Sequence, residues 1–316
     1  MSQITTVLGE FKCKLPSLPG INMAHCMIIN NANEIMILGG AHDGFLEQKH
    51  QYCFVLKNNS WKQHSTFLQP RIYSCAVTMP NGIFVFGGIS NPEIGFDRTF
   101  IAYNSRTTEF LPNNQFHWQT FDDNMPEPGS DAHAIAISDN EILITGGRYS
   151  NYINLLTPIR THDFALSRIM KFNIVNKIWT MLGNLNHGRY DHSSFLYKGR
   201  VIITGGSNGY AEINSTEILT LSTGIVRQGG NLNVGRSGHG MGILKIKGIP
   251  KLVVFGGFSY QTQTHTSIVE VWNDDTETWH IAEGIILSVP LHNFGYCSSQ
   301  TFINANAHFS DNALEQ

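Results

Sequence analysis

EILITGG, residues 141–147, decides the fold. A short apolar run ends on two adjacent glycines, Gly146-Gly147. The same phrase returns four times, as EIMILGG at 34–40, IFVFGG at 83–88, RVIITGG at 200–206 and KLVVFGG at 251–257. From Gly39 onward the pairs stand 48, 59, 59 and 51 residues apart. A period near 50 residues means that one supersecondary unit has been copied along the chain.

Each copy carries further marks. A strand and a polar turn lead to an aromatic in FVLKNNSW (54–61), AYNSRTTEF (102–110), FNIVNKIW (172–179) and EVWNDDTETW (270–279). Trp61, Phe110 and Trp279 lie about 22 residues past the second glycine; Trp179 fits with a long insertion, and Val226 takes the place in the fourth copy. Sixteen residues before the first glycine stand Arg71, Ser130 and Arg189, with Arg236 as the fifth copy's counterpart. Alternation in AHAIAISDN and continuous apolar runs in IMILGG and LVVFGG read as strands, the latter buried on both faces. Four short strands per copy with turns between them make a propeller blade.

These residues resemble the kelch repeat: a basic residue, often a histidine three further on, an apolar strand closed by Gly-Gly, then a strand, a turn and a tryptophan. The resemblance covers roughly residues 3–303 and implies an all-β kelch-type β-propeller of four-stranded antiparallel sheets. We expect six blades, with repeats at about 22–70, 71–129, 130–188, 189–235 and 236–290. The sixth blade is expected to be split between residues 1–21 and 291–309, although no sixth Gly-Gly is present. Residues 310–316 read as a disordered tail.

Composition excludes several functions. A net charge of −3 argues against a general nucleic-acid or membrane-surface binder. No signal peptide and no run of membrane-spanning length is legible. Five cysteines form no C-x-x-C pair and sit mostly in apolar strands, as small buried hydrophobes do. The expectation is a cytoplasmic, soluble protein without a cofactor or metal.

Up-and-down strands would place the loops that follow Gly-Gly, and the connections into each repeat, on one face. Two long irregular stretches fall there, 112–129 and 148–167. Their Trp118, Phe121, Arg148, Tyr149, Tyr152 and Arg160 fit a contact surface. Across the same face would run Asn22, Arg71, Ser130, Arg189, Arg236 and His292. In kelch domains of ubiquitin-ligase adaptors, arginines and serines on this face bind acidic peptides. That implication carries to Arg71, Arg189, Arg236, Arg148 and Ser215. The recurring His25, His133, His192 and His239 read as hydrogen-bonding groups between blades rather than metal ligands.

The leading expectation is therefore a free-standing interaction module. It would bind a protein or peptide with an acidic segment, with any ubiquitin-ligase or cytoskeletal component supplied in trans. The alternative implied by the resemblance is a sugar mutarotase using Arg189, Arg236 and His292. No motif positively indicates an enzyme.

Overall fold

In the computed structural model, the residues described are 5–8, 11–14, 25–42, 45–49, 51–94, 100–150, 163–259 and 261–286. Among them every regular element is a strand. Five four-stranded antiparallel sheets follow one another in sequence, each ordered from an innermost to an outer strand. Blade one is Cys26–Ile29, Ile35–Leu38, Tyr52–Lys57 and Ser60–Thr66. Blade two is Cys75–Met79, Gly82–Phe86, Thr108–Pro112 and Gln119–Phe121. Blade three is His133–Ala136, Glu141–Thr145, Arg168–Asn173 and Ile178–Asn184. Blade four is Ser193–Tyr197, Arg200–Thr204, Thr216–Thr220 and Ile225–Gln228. Blade five is Gly240–Ile246, Ile249–Phe255, Ile268–Asn273 and Thr278–Ile286.

The blade count corrects the expectation of six. Among the described residues there are five, one for each strand that ends in Gly-Gly. Residues 5–8 and 11–14, expected to add an outer strand to a split blade, instead pair with each other, Thr5 opposite Lys14 and Leu8 opposite Phe11. The mutual pairing uses the backbone groups along one edge of each segment. The C-terminal half expected at 291–309, and the tail 310–316, lie outside the described residues.

The core lies between blades. Phe84, Phe86 and Val77 of blade two pack with Ile142, Ile144, Met170 and Phe172 of blade three. Equivalent apolar layers join blade one to two, three to four and four to five. Each buried Leu, Ile or Phe contributes on the order of 1.5–3 kcal/mol of transfer free energy. The outer-strand aromatics reach across these layers. Trp279 Nε1 of blade five donates to Thr216 Oγ1 of blade four at 2.9 Å. Trp179 Nε1 of blade three donates to the Asp123 carbonyl at 3.2 Å.

The glycine pairs fasten each blade to the next. Gly206 N donates to the carbonyl of Arg236 at 2.8 Å, and Gly147 N to that of Arg189 at 2.9 Å. Gly205 and Gly206 have φ of 57° and 93°. A Cβ on Gly206 would stand 2.6 Å from the Tyr190 carbonyl oxygen, and one on Gly205 would stand 2.6 Å from that of Arg236. Only glycine supplies both this conformation and this approach.

The connections divide the molecule into two faces. One, here the glycine face, carries the loops that follow Gly-Gly and the links between blades. In blades three and five those loops rise as two-stranded ribbons, Arg148–Ser150 with Asp163–Ala165 and Phe258–Ser259 with Thr264–His265. Blade four has instead a compact turn closed by bridges of Ser207 to Tyr190 and Glu212. The hairpin turns within blades lie on the opposite face.

Of the two long stretches expected on the glycine face, the first part of 112–129 does not lie there, whereas 122–129 is the link into blade three. Residues 112–118 form the turn of a hairpin, because Thr108–Pro112 and Gln119–Phe121 pair as third and outer strands. That turn belongs to the opposite face. Trp118 is 3% exposed, its Nε1 donating to Ser65 Oγ of blade one at 3.0 Å, with the Phe67 ring 4.6 Å away. Extending the register opposes it to Leu111, as Trp179 opposes Phe172 and Trp279 opposes Trp272. Trp118, and not Phe110, is thus the second repeat's wedge. A longer turn displaced it from the expected spacing.

Candidate functional site

The arginines expected to meet a partner point inward. Arg71, Arg189 and Arg236 are each 0% exposed, and each forms the same brace. Arg189 Nη1 donates to the carbonyls of Gly205 (3.0 Å) and Ser215 (3.1 Å); Nη2 donates to Ser215 Oγ (2.9 Å) and Glu217 Oε1 (2.6 Å). Arg236 repeats this with the carbonyls of Gly256 and Ile268 and with Glu270 Oε1 at 2.6 Å. Arg71 repeats it with the Gly87 carbonyl, Thr107 Oγ1 and Glu109. Each carboxylate in turn accepts backbone N–H groups from the link leading into the same blade. Glu217 takes those of Asn186 (2.6 Å) and His187 (3.1 Å), Glu270 those of Asn233 and Val234, and Glu109 that of Leu68.

A buried charge is tolerable only when paired and hydrogen-bonded, and these groups meet that condition. Burial lowers the Arg189 and Arg236 pKa values, while Glu217 and Glu270 oppose that shift. The guanidiniums remain charged at neutral pH. Contact by Arg71, Arg189 and Arg236 with an acidic partner is therefore corrected: a guanidinium that is 0% exposed and spends both terminal nitrogens inside the blade presents nothing to a partner. Ser215 also serves the brace, as the acceptor for Arg189.

Blade three solves the same problem differently. Gly88 N bonds the Gly129 carbonyl as Gly147 N bonds that of Arg189. Gly129, and not Ser130, is thus the counterpart of the arginines. The innermost hairpin of this blade has a turn one residue longer than that of blade four, which shifts the alignment. The guanidinium arrives from the third strand. Arg168 Nε donates to the Gly146 carbonyl at 3.2 Å, and Nη1 to those of Glu127 (2.8 Å) and Pro128 (3.0 Å). A Cβ on Gly129 would lie 2.3 Å from Arg168 Nη2, so the glycine leaves room for it. At the position of Glu217, which opposes Ile203, stands Met170, which opposes Ile144. Arginine and glutamate are missing together.

The histidines hold neighbouring blades. His192 Nε2 lies 2.8 Å from Thr145 Oγ1, and His239 Nε2 lies 3.0 Å from Thr204 Oγ1. Burial drives both well below the ordinary imidazole pKa, and nearby His133 and Arg189 push both in the same direction. Burial takes His25 and His133 down to about 4.

At the centre of the glycine face, Arg148 binds three blades together. Its Nη2 lies 2.8 Å from Asp131 Oδ2, and its guanidinium stacks at 5.4 Å on Tyr73 and 5.1 Å on Tyr190. With 11% of its side chain exposed, it is mostly spoken for. Tyr149 is half-buried in the ribbon opposite Phe164. Tyr152, Arg160 and His292 lie outside the described residues.

What the face does expose was not singled out by the sequence. The blade-four turn carries Tyr210 at its tip, 95% exposed. Asn208 Oδ1 accepts the N–H groups of Tyr210 and Ala211, both at 2.9 Å, and Ser207 Oγ accepts that of Gly209 at 3.2 Å. Beside it opens a cleft of about 420 Å³ lined by His187, Glu212, Ile213, Asn214, Ser215, Gly235 and Gln261. Gly235 supports the 212–214 segment, since a Cβ there would lie 3.2 Å from the Glu212 carbonyl oxygen. Phe164 (52% exposed) and Leu68 (50%) add apolar surface elsewhere on this face.

Comparison with known proteins agrees with the repeat reading. The family described as the KLHDC2/KLHL20/DRC7 Kelch-repeats domain matches residues 11–206. The chain belongs to the kelch-repeat family. It is 24% identical over 307 residues to human Kelch-like protein 15, covering 92% of this chain and 46% of that protein. It is 23% identical over 206 residues to beta-scruin of Limulus polyphemus, covering 64% of this chain and 21% of that one. The chain thus spans less than half the length of these relatives. The solved structure titled "Structure of YjhT" superposes with a TM-score of 0.67 at 13% identity, covering 88% of both chains, and shows the shared fold.

Within this kelch propeller, the signal that would have found the braces is an acidic residue in an otherwise apolar third strand: Glu109 in TEFLP, Glu217 in TEILT and Glu270 in IVEVWN. A carboxylate at an inward position demands a buried cation.

Proposed function

We propose that this chain is a protein-recognition module that engages its partner through the glycine face, centred on the blade-four turn. The observation that carries this reading is Tyr210, fully presented on a turn stiffened by its own side-chain hydrogen bonds, next to an open cleft. Tyrosine supplies a large contact area at small cost in side-chain entropy, and aromatic residues dominate interface hot spots. Membership of the kelch family supports the reading. The acidic-peptide version loses its basis, because the arginines it needs are internal. The mutarotase alternative loses Arg189 and Arg236 for the same reason, and nothing in the described residues favours it.

The test is affinity capture from source-cell extract, comparing the intact chain with Tyr210→Ala and with an opposite-face control, Val175→Ser. We expect a protein retained by the intact chain and the control and lost by Tyr210→Ala, with unchanged thermal stability of all three. A partner lost with Val175→Ser and kept with Tyr210→Ala would overturn the choice of face.

A further inference from the structure

Blade five carries an insertion that the layer between blades four and five does not use. Arg236 stands 20 residues before its glycine, Gly256, where Arg189 stands 16 before Gly205. The extra residues lengthen the innermost hairpin, whose strands Gly240–Ile246 and Ile249–Phe255 stay paired to the tip, with Ile246 opposite Ile249. Two more residues per strand, at about 3.4 Å each, carry it roughly 7 Å beyond the corresponding turn of blade four. Toward blade four the packed residues end at Ile243 and Leu252. Beyond them Lys245, Lys247 and Pro250 are exposed, Ile249 is 57% exposed and Lys251 is half-buried. None of these three lysines has an ion pair among the described residues.

Lys245 borders a seam that is itself rich in cations. Side chains alternate along a strand, so Lys245 lies on the same side as Ile243, which packs with Tyr197 of blade four. Next to Tyr197, Lys198 Nζ lies 2.8 Å from Asp274 Oδ2. Arg227 grips Glu277 with both terminal nitrogens at 2.7 Å, and Arg200 Nη1 reaches the same carboxylate at 2.5 Å. Two guanidiniums thus share one carboxylate, and Arg200 spends only that nitrogen among the described residues. Across the hairpin ends of blades four and five, residues 197–200, 220–227, 244–251 and 273–278, six cations stand against three carboxylates. The chain as a whole has a net charge of −3. The same ends of blade three balance, Lys171 and Lys177 against Asp139 and Glu141.

We propose that the hairpin face of blades four and five is a second docking surface, which takes an acidic segment of a partner protein. The segment's carboxylates meet Lys245, Lys247 and the unused nitrogens of Arg200, while Ile249 and Ile225 (61% exposed) supply apolar contact. Acidic recognition, lost from the glycine face with the buried arginines, has its cations here instead. Glu277 is the internal precedent, a carboxylate already held at this seam by guanidinium groups. A polypeptide fits better than an anionic bilayer, because Asp274, Asp275 and Glu277 interrupt the cations. A uniformly negative plane would press against those carboxylates, whereas a peptide can set its charges between them. This surface is separate from the blade-four turn on the glycine face, so either can stand without the other.

The experiment uses the full chain with blocked hexaglutamate, blocked hexaglutamine, and phosphatidylcholine vesicles containing phosphatidylserine. Amide NMR shifts and affinity are followed at about 50 and about 300 mM salt. We expect saturable shifts at Lys198, Arg200, Lys245, Lys247 and Ile249 with hexaglutamate, weakened by the higher salt and absent with hexaglutamine. Lys245→Glu/Lys247→Glu should lower the affinity about tenfold. Its melting temperature should be unchanged, since neither lysine has an ion pair among the described residues to lose, and Lys245→Arg/Lys247→Arg should keep the affinity. Equal response to the two peptides, an undiminished charge-reversed variant, or shifts confined to the glycine face would each overturn the proposal. Vesicle binding tighter than hexaglutamate binding would overturn the choice of a protein partner.

Discussion

Blades three and four face the same packing problem and answer it with different residues. In both, the carbonyl of the first glycine is capped by a guanidinium: Arg189 reaches Gly205 from the link before blade four, and Arg168 reaches Gly146 from the third strand of blade three. Blade four adds Glu217 to match the charge, whereas blade three has Met170 there and spends its guanidinium on the Glu127 and Pro128 carbonyls. The exposed Glu127 carboxylate lies 3.6 Å away and contributes little. The lesson is that the repeat preserves a capped glycine carbonyl and not a particular arginine. Where the glutamate is kept, its arginine must be kept too, since the carboxylate alone is an uncompensated buried charge.

The largest effect should come from splitting the blade-four pair. Arg189→Met leaves Glu217 buried with no cation, and should cost about 3–5 kcal/mol in urea unfolding. Adding Glu217→Met, which gives blade four the methionine of blade three, should return a substantial part of that loss. Crowding blade three tests its variant of the brace: Gly129→Val should force Arg168 aside and cost about 1–3 kcal/mol.

Acid should separate the blades further. His192 and His239 are held neutral in the folded chain, as are His25 and His133, while unfolded histidines protonate near pH 6.5. Folded values below the unfolded one mean that their contribution is complete above about pH 6.5 and is lost as pH falls. For His25 and His133 the window runs from about 6.5 down to about 4, and His192 and His239 act in the same direction. Each contributes a slope approaching ~1.4 kcal/mol per pH unit. His192→Ala copies Ala132, the equivalent residue of blade three, and should flatten the acid limb of a melting-temperature profile. The smallest effect belongs to the bond between blades: Thr204→Val should cost about 1 kcal/mol by removing the hydroxyl beside His239.

The glycine pairs made the blades legible because they tie sequence spacing to one backbone requirement: positive φ and contact with the next blade. Turn length is not constrained in that way. The longer turns at 113–117 and 137–140 therefore hid Trp118 as the wedge and Gly129 as the brace position. The arginine spacing was visible, but a sequence does not show which way a guanidinium points. Glu109, Glu217 and Glu270, lodged in apolar strands, were the available evidence that it points inward. Tyr210 gave no signal, because its exposure follows from how Ser207 and Asn208 close one short turn.

The measurement that bears most directly on this account is the double-mutant cycle of Arg189→Met and Glu217→Met, read as unfolding free energy at pH 7. Each single variant is expected to lose about 3–5 kcal/mol, and the double variant clearly less than their sum. Single variants within about 0.5 kcal/mol of the parent, or losses that simply add, would contradict an internal brace and return Arg189 to the surface.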